Sequence, residues 1–138
     1  MTFLFSAHSG LRWLVVLIGV IALVQMILSI LGTAANAKRE RMLMLVFTIS
    51  LDIQVTLGIL LLIFDRIAQG VPFTPFIGHV VTLLIALIAG HIFYSRGKKA
   101  GEGAQARFYL IGIIVALVLI VLGVIALPGG MARWGMAS

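Results

Sequence analysis

The sequence predicts an all-α integral membrane protein: an up-down-up-down bundle of four transmembrane helices with both termini outside. Three observations predict it. The 138 residues are 62% hydrophobic and only 10% charged, where a water-facing domain carries about 25% charged residues; a mean hydropathy of +1.24 agrees. The apolar residues fall into four runs, each close to the roughly 20 residues that cross a hydrocarbon core of about 30 Å. The basic residues lie between those runs and are unequally shared between the two sides.

The first span covers residues 11–31, with Phe3, Leu4 and Phe5 offering an earlier start. Ala35-Asn36-Ala37 has the look of a signal-peptide cleavage site. The apolar run before it exceeds the usual length of about 7–15 residues, and no basic n-region precedes it. An uncleaved span is the favoured reading. The second span covers 42–64, and Pro72 and Pro75 mark the turn after it. The third covers 77–94 and is followed by a polar loop containing Gly97, Gly101 and Gly103. The fourth covers 108–127 and ends at Pro128-Gly129-Gly130, because proline cannot continue a helix. Short loops force antiparallel neighbours, so residues 1–138 form one transmembrane domain.

Charge sets the expected orientation. Lys38, Arg39, Arg41, Arg96, Lys98, Lys99 and Arg107 fall on one side, and only Arg12, Arg66 and Arg133 on the other. Cytoplasmic loops carry the excess of Lys and Arg, so the chain is expected to be a multi-pass protein of a bacterial inner membrane with both basic loops in the cytoplasm. The formal charge of +6 is then a topology signal and not a nucleic-acid footprint; the partner it implies is the lipid bilayer. The chain has no cysteine, which excludes disulfides and thiolate metal sites.

Ionisable groups inside a span cost about 2.5–3.5 kcal/mol at its centre on insertion scales and are usually turned inward. Span one carries His8 and Arg12, which share a face as i and i+4, with Trp13 beside them as an interfacial anchor and Gln25 and Ser29 further on. Span two carries Asp52 near the midplane, expected inside the bundle, and Gln54. Span three carries His79 near the outer end and His91 twelve residues later, about 120° away around the helix. Two groups are therefore expected: an outer site of His8, Arg12 and His79, and an inner polar cluster of Gln25, Asp52, Gln54 and His91. Each residue also has a bland reading, as a surface cap or a helix-to-helix hydrogen bond. Span four has no ionisable residue and is expected to face lipid or a partner subunit.

No hydrolase constellation, metalloprotease motif or phosphate-binding loop occurs, so an enzyme acting alone is not expected. Imidazoles on membrane helices suit haem iron, and a bundle core can house a cofactor. His8 and His79 would be its metal ligands and Arg12 its propionate partner. On the span boundaries above, His8 lies about 8 Å higher than His79, a mismatch that helix tilt or an earlier start to span one would reduce. His91 is the remaining candidate for cofactor binding.

The motifs His8-Ser9-Gly10-Leu11-Arg12-Trp13, Asp52-Ile53-Gln54 with Leu57-Gly58, Gly78-His79 and Ala89-Gly90-His91 resemble those of a largely uncharacterised family of small bacterial four-span membrane proteins, over nearly the whole chain. More loosely, the layout is similar to four-helix membrane cytochromes b and to the copper-resistance and invasion-regulator membrane families. The resemblance implies a haem- or redox-linked bundle. It departs from the two-haem cytochromes b, whose stacked histidines share one helix face as His79 and His91 do not.

Three functions follow as expectations. The first is a b-type haem protein passing electrons, with quinone as a candidate partner. The second is a non-catalytic accessory or assembly subunit of a larger respiratory or photosynthetic complex. The third is a proton or small-solute pathway through Asp52, His91 and Gln25, which four spans per chain would support as a homodimer.

Overall fold

The computed structural model describes residues 3–135. Four helices dominate it: α1 (Phe3–Ile30), α2 (Ala37–Leu61), α3 (Ile77–Ala100) and α4 (Glu102–Ile125). All four are long and apolar enough to cross a membrane. α1 starts at the early apolar residues, which moves His8 well inside the helix. At about 1.5 Å per residue its 28 residues span about 42 Å.

The connections carry the chain's local signals. Asn36 caps α2: its side chain accepts from the Arg39 backbone N–H at 2.9 Å, while Glu40 reaches back to the Asn36 N–H at 3.3 Å. α2 runs on through a π-helical turn at Leu62–Arg66 and a short 3-10 turn at Ile67–Gln69. Gly70, in a left-handed conformation, stops it. The expected polar loop between spans three and four is not a loop. α3 continues to Ala100 and α4 begins at Glu102, so Gly101 alone, at φ +79°, makes the turn. Gly97 is buried within α3. After α4, a 3-10 turn at Gly130–Trp134 folds the chain back and sets Trp134 against the core.

α1 packs on α2 and α4, and α3 packs on α2 and α4; α1 and α3 make no direct helix contact among the described residues. The core is built from Met26, Met44, Phe47, Leu51, Tyr109 and Ile113 among others. α4 contributes the most to it, burying a face that runs from Gln105 to Val124. The expectation that span four faces lipid or a partner subunit is corrected for this face, which packs on the other three helices. Its apolar surface runs all the way round, so hydropathy could not reveal the buried face, but Gly112, Ala116 and Gly123 let neighbouring helices approach closely.

A second interior feature joins α2 to α4. Gln105, fully buried, donates to the Ala37 carbonyl at 2.8 Å and to Glu40 Oε2 at 3.0 Å, and accepts from Arg41 at 3.2 Å. Glu40 is almost wholly buried by the same contacts. This satisfied polar knot sits where the α1–α2 connection meets the start of α4.

Candidate functional site: a two-histidine cavity

At the end of the helices near the α2–α3 connection, α1 and α3 face one another across the gap between them. His8 of α1 and His79 of α3 place their ring centroids 6.2 Å apart, with the planes at 83°. The 8 Å mismatch expected from the span boundaries is absent, because α1 begins at Phe3 and not at Leu11.

Each imidazole is held from outside by a backbone carbonyl. His8 Nδ1 donates to the Gln54 carbonyl of α2 at 3.1 Å, and His79 Nδ1 donates to the Gly123 carbonyl of α4 at 2.8 Å. A carbonyl oxygen can only accept, so Nδ1 carries the proton and Nε2 keeps its lone pair in both rings. This is the arrangement that orients a metal-ligating histidine. Gln54 completes a reciprocal clamp: its Nε2 donates to the His8 carbonyl at 2.9 Å. Gly58, one turn further along α2, lies against the His8 ring; a Cβ there would sit 2.9 Å from Cε1.

Three arginines join the two histidines. Arg12, Arg66 and Arg133 all line the cavity, with Gln54 and apolar groups including Val55, Leu83 and Ile120, and no Asp or Glu is among the lining residues described. The Arg12 guanidinium lies 5.5 Å from the Trp13 ring and 5.1 Å from Trp134, and the two indoles meet edge to face at 5.6 Å. Its Nε and Nη2 are buried without a hydrogen-bond partner. Arg66 stacks over Phe76 at 5.4 Å, and Arg133 Nε donates to the Pro128 carbonyl at 2.8 Å. Three guanidinium groups around an apolar cavity favour an acidic, otherwise apolar guest.

The expected outer site of His8, Arg12 and His79 is thus one place. The expected inner cluster is not. Gln54 belongs to the His8 clamp. Gln25 donates to Ser29 Oγ at 3.0 Å and to the Ala34 carbonyl at 2.8 Å, and accepts from Arg39 at 3.4 Å, tying the end of α1 to the following turn. Asp52 does approach span three, at 2.7 Å from His91 Nε2, but on the surface and not in the interior: the side chains are 43% and 51% exposed. The reason is angular. α2 buries Phe47, Leu51, Gln54 and Val55, and Asp52 lies about 100° past Leu51. His91 lies about 18 Å along α3 from His79 and is no part of the cavity.

Sequence reasoning missed Gly58, Arg66, Arg133, Trp134 and the Gly123 carbonyl as parts of this site. One signal was available: the three arginines assigned to the sparse side are the three that line the cavity.

Comparison of the chain with protein-family models, with characterised proteins and with solved structures finds no match. The chemistry of the donors therefore carries the argument. No group of three or more His, Cys, Asp or Glu that could cage a metal occurs among the described residues. Two imidazoles alone suit a metal that brings its own equatorial ligands. A centroid separation of 6.2 Å admits one metal with bonds of about 2 Å to each ring. The donor types are those a haem uses: imidazole for iron, and the unpartnered Arg12 N–H groups for a carboxylate.

Proposed function

We propose that this chain is a small b-type haem protein of a bacterial inner membrane that passes electrons, with a lipid-soluble quinone as its candidate redox partner. The single observation that carries this reading is the pair of facing imidazoles, each fixed through Nδ1 by a carbonyl from a third or fourth helix. His8 and His79 would hold the cofactor through Nε2. Arg12, helped by Arg66 and Arg133, would meet its acidic side chains. When bound, haem supplies a one-electron couple. The protein's part is to fix both rings, keep the site apolar and place positive charge beside the cofactor, which favours the reduced form.

With both basic loops in the cytoplasm, as the charge asymmetry favours, both termini would lie outside in an up-down-up-down bundle, with the histidine cavity near the outer face. The pathway reading is less favoured, because Gln25 makes its hydrogen bonds with Ser29, Ala34 and Arg39 and not with the Asp52–His91 pair. A role as an accessory subunit is compatible with haem binding, and the polar pair exposed on the helix surface favours some protein contact there.

An absorption spectrum of the purified chain from haem-replete cells tests the proposal. A Soret band lost in His8→Ala and in His79→Ala is expected. A colourless, fully helical preparation overturns it.

A further inference from the structure

The Asp52–His91 pair takes no part in the proposed haem site, and its position demands an explanation of its own. Two ionisable side chains 2.7 Å apart lie on the outside of α2 and α3, about half exposed, at a depth the sequence assigns to hydrocarbon. In lipid such groups are turned toward protein or water. The surface around them is patterned. Leu45, Ile49, Asp52 and Thr56 of α2 are all open, as are Leu84, Ile88, His91 and Ser95 of α3. On each helix these positions recur at i, i+4, i+7 and i+11, the spacing of a helix-packing seam. On both helices the ionisable residue is the third of the four and a small hydroxyl residue the fourth.

We propose that this face is where two copies of the chain meet, each Asp52–His91 pair laid against the other across a two-fold axis. The chemistry favours a second copy over another occupant. His91 Nε2 serves Asp52 Oδ1 within one chain. With one proton shared between Nε2 and Oδ1, whichever atom holds it, the pair retains one donor, His91 Nδ1–H, and one acceptor, Asp52 Oδ2. A group with one spare donor beside one spare acceptor is complementary to itself after a half-turn, the symmetry of an isologous dimer. Each copy then covers the other's polar pair and buries the apolar residues above and below it.

The absence of cysteine makes the test direct. Full-length Ile49→Cys and Ile88→Cys proteins are oxidised in native membranes, with Val118→Cys on the exposed side of α4 as control. The face variants should form a disulfide-linked species of twice the 14.8 kDa chain mass, and the control should stay monomeric. Adding Asp52→Asn with His91→Leu should lower cross-linking by about tenfold, the factor that an interhelical polar contact of about 1.4 kcal/mol produces. The exchange Asp52→His with His91→Asp should restore it, which separates loss of the pair from loss of the fold. Equal cross-linking at Val118, none at Ile49 and Ile88, or an adduct with a chain of different mass would overturn the proposal. So would cross-linking indifferent to the loss of the pair.

Discussion

At the scale of single residues, the site turns on how two imidazoles are aimed. His8 is held on three sides: by the Gln54 carbonyl at its Nδ1, by the Gln54 amide at its own carbonyl, and by the flat space above Gly58. Gly58→Ala brings a methyl into contact with Cε1. The ring is the free end of a side chain and can swing away, so the cost to the fold should be small, about 1 kcal/mol for one lost hydrogen bond. The cost to the site should be large, because the swing moves the ring from its place beside His79. The expected outcome is a helical protein with a nearly normal unfolding transition by circular dichroism and most of its Soret absorbance gone. A Gly58→Ala protein with full haem content would show that the Gly58 contact does not aim the ring. Arg12 gives a complementary prediction. Its guanidinium is placed by Trp13 and Trp134, contacts worth about 0.5–2 kcal/mol, and a positive charge there would stabilise the reduced form of the proposed haem. Arg12→Gln should therefore lower the midpoint potential while retaining the haem. An unchanged potential, measured by optical redox titration, would place Arg12 too far from the cofactor to act on it.

At the scale of elements, the polar knot of α2 and α4 shows what the helices cost to separate. Gln105→Leu would leave the Ala37 carbonyl and one Glu40 oxygen buried without their donor, at about 1–3 kcal/mol for each unsatisfied group. Unfolding in mixed micelles should show a loss of that order, and Glu40→Gln in the same background should recover part of it by removing a buried charge. A fully neutral Gln105→Leu would mean that water reaches the knot. The same elements show what was legible in advance. The four spans were, because length and hydropathy are properties of a run and survive any error about its neighbours. The turn between α3 and α4 was not. Arg96 to Ala100 reads as polar loop, but lysine and arginine are good helix formers, and one glycine at positive φ reverses the chain. Nor was the inward face of α2 or α4 legible. A helix that is apolar all round has no stripe, so the depth of Asp52 could be read from the sequence and its direction could not. That His8, Arg12 and His79 line one cavity could be anticipated, because depth and chain side were enough to bring them to one end. Gln54 was misplaced because it was grouped with Asp52 by depth, although two residues of spacing turn it about 200° away around the same helix.

At the scale of the whole molecule, the distribution of charge has two consequences that must agree. The three arginines that line the cavity are the three that the sequence assigns to the sparse side, while seven basic residues crowd the other. If the crowded side is cytoplasmic, the histidine cavity opens toward the outside and the Glu40–Gln105 knot lies inside. Reporter fusions after Ala37 and after Ala100 should then read cytoplasmic. A fusion at Gly70, in the turn between α2 and α3, should read external. The cavity arginines pull against this orientation, since they too are basic and lie near span ends. The balance is seven against three, so it should be movable. Changing Lys38, Arg39 and Arg41 to glutamine leaves four against three and should yield a mixed population, with the Gly70 fusion now partly cytoplasmic. Further change of Lys98 and Lys99 should complete the inversion or block insertion. A Gly70 fusion that reads cytoplasmic in the unaltered chain would turn the molecule over. The cavity would then face the cytoplasm, and a redox partner for the proposed haem would have to be sought on that side.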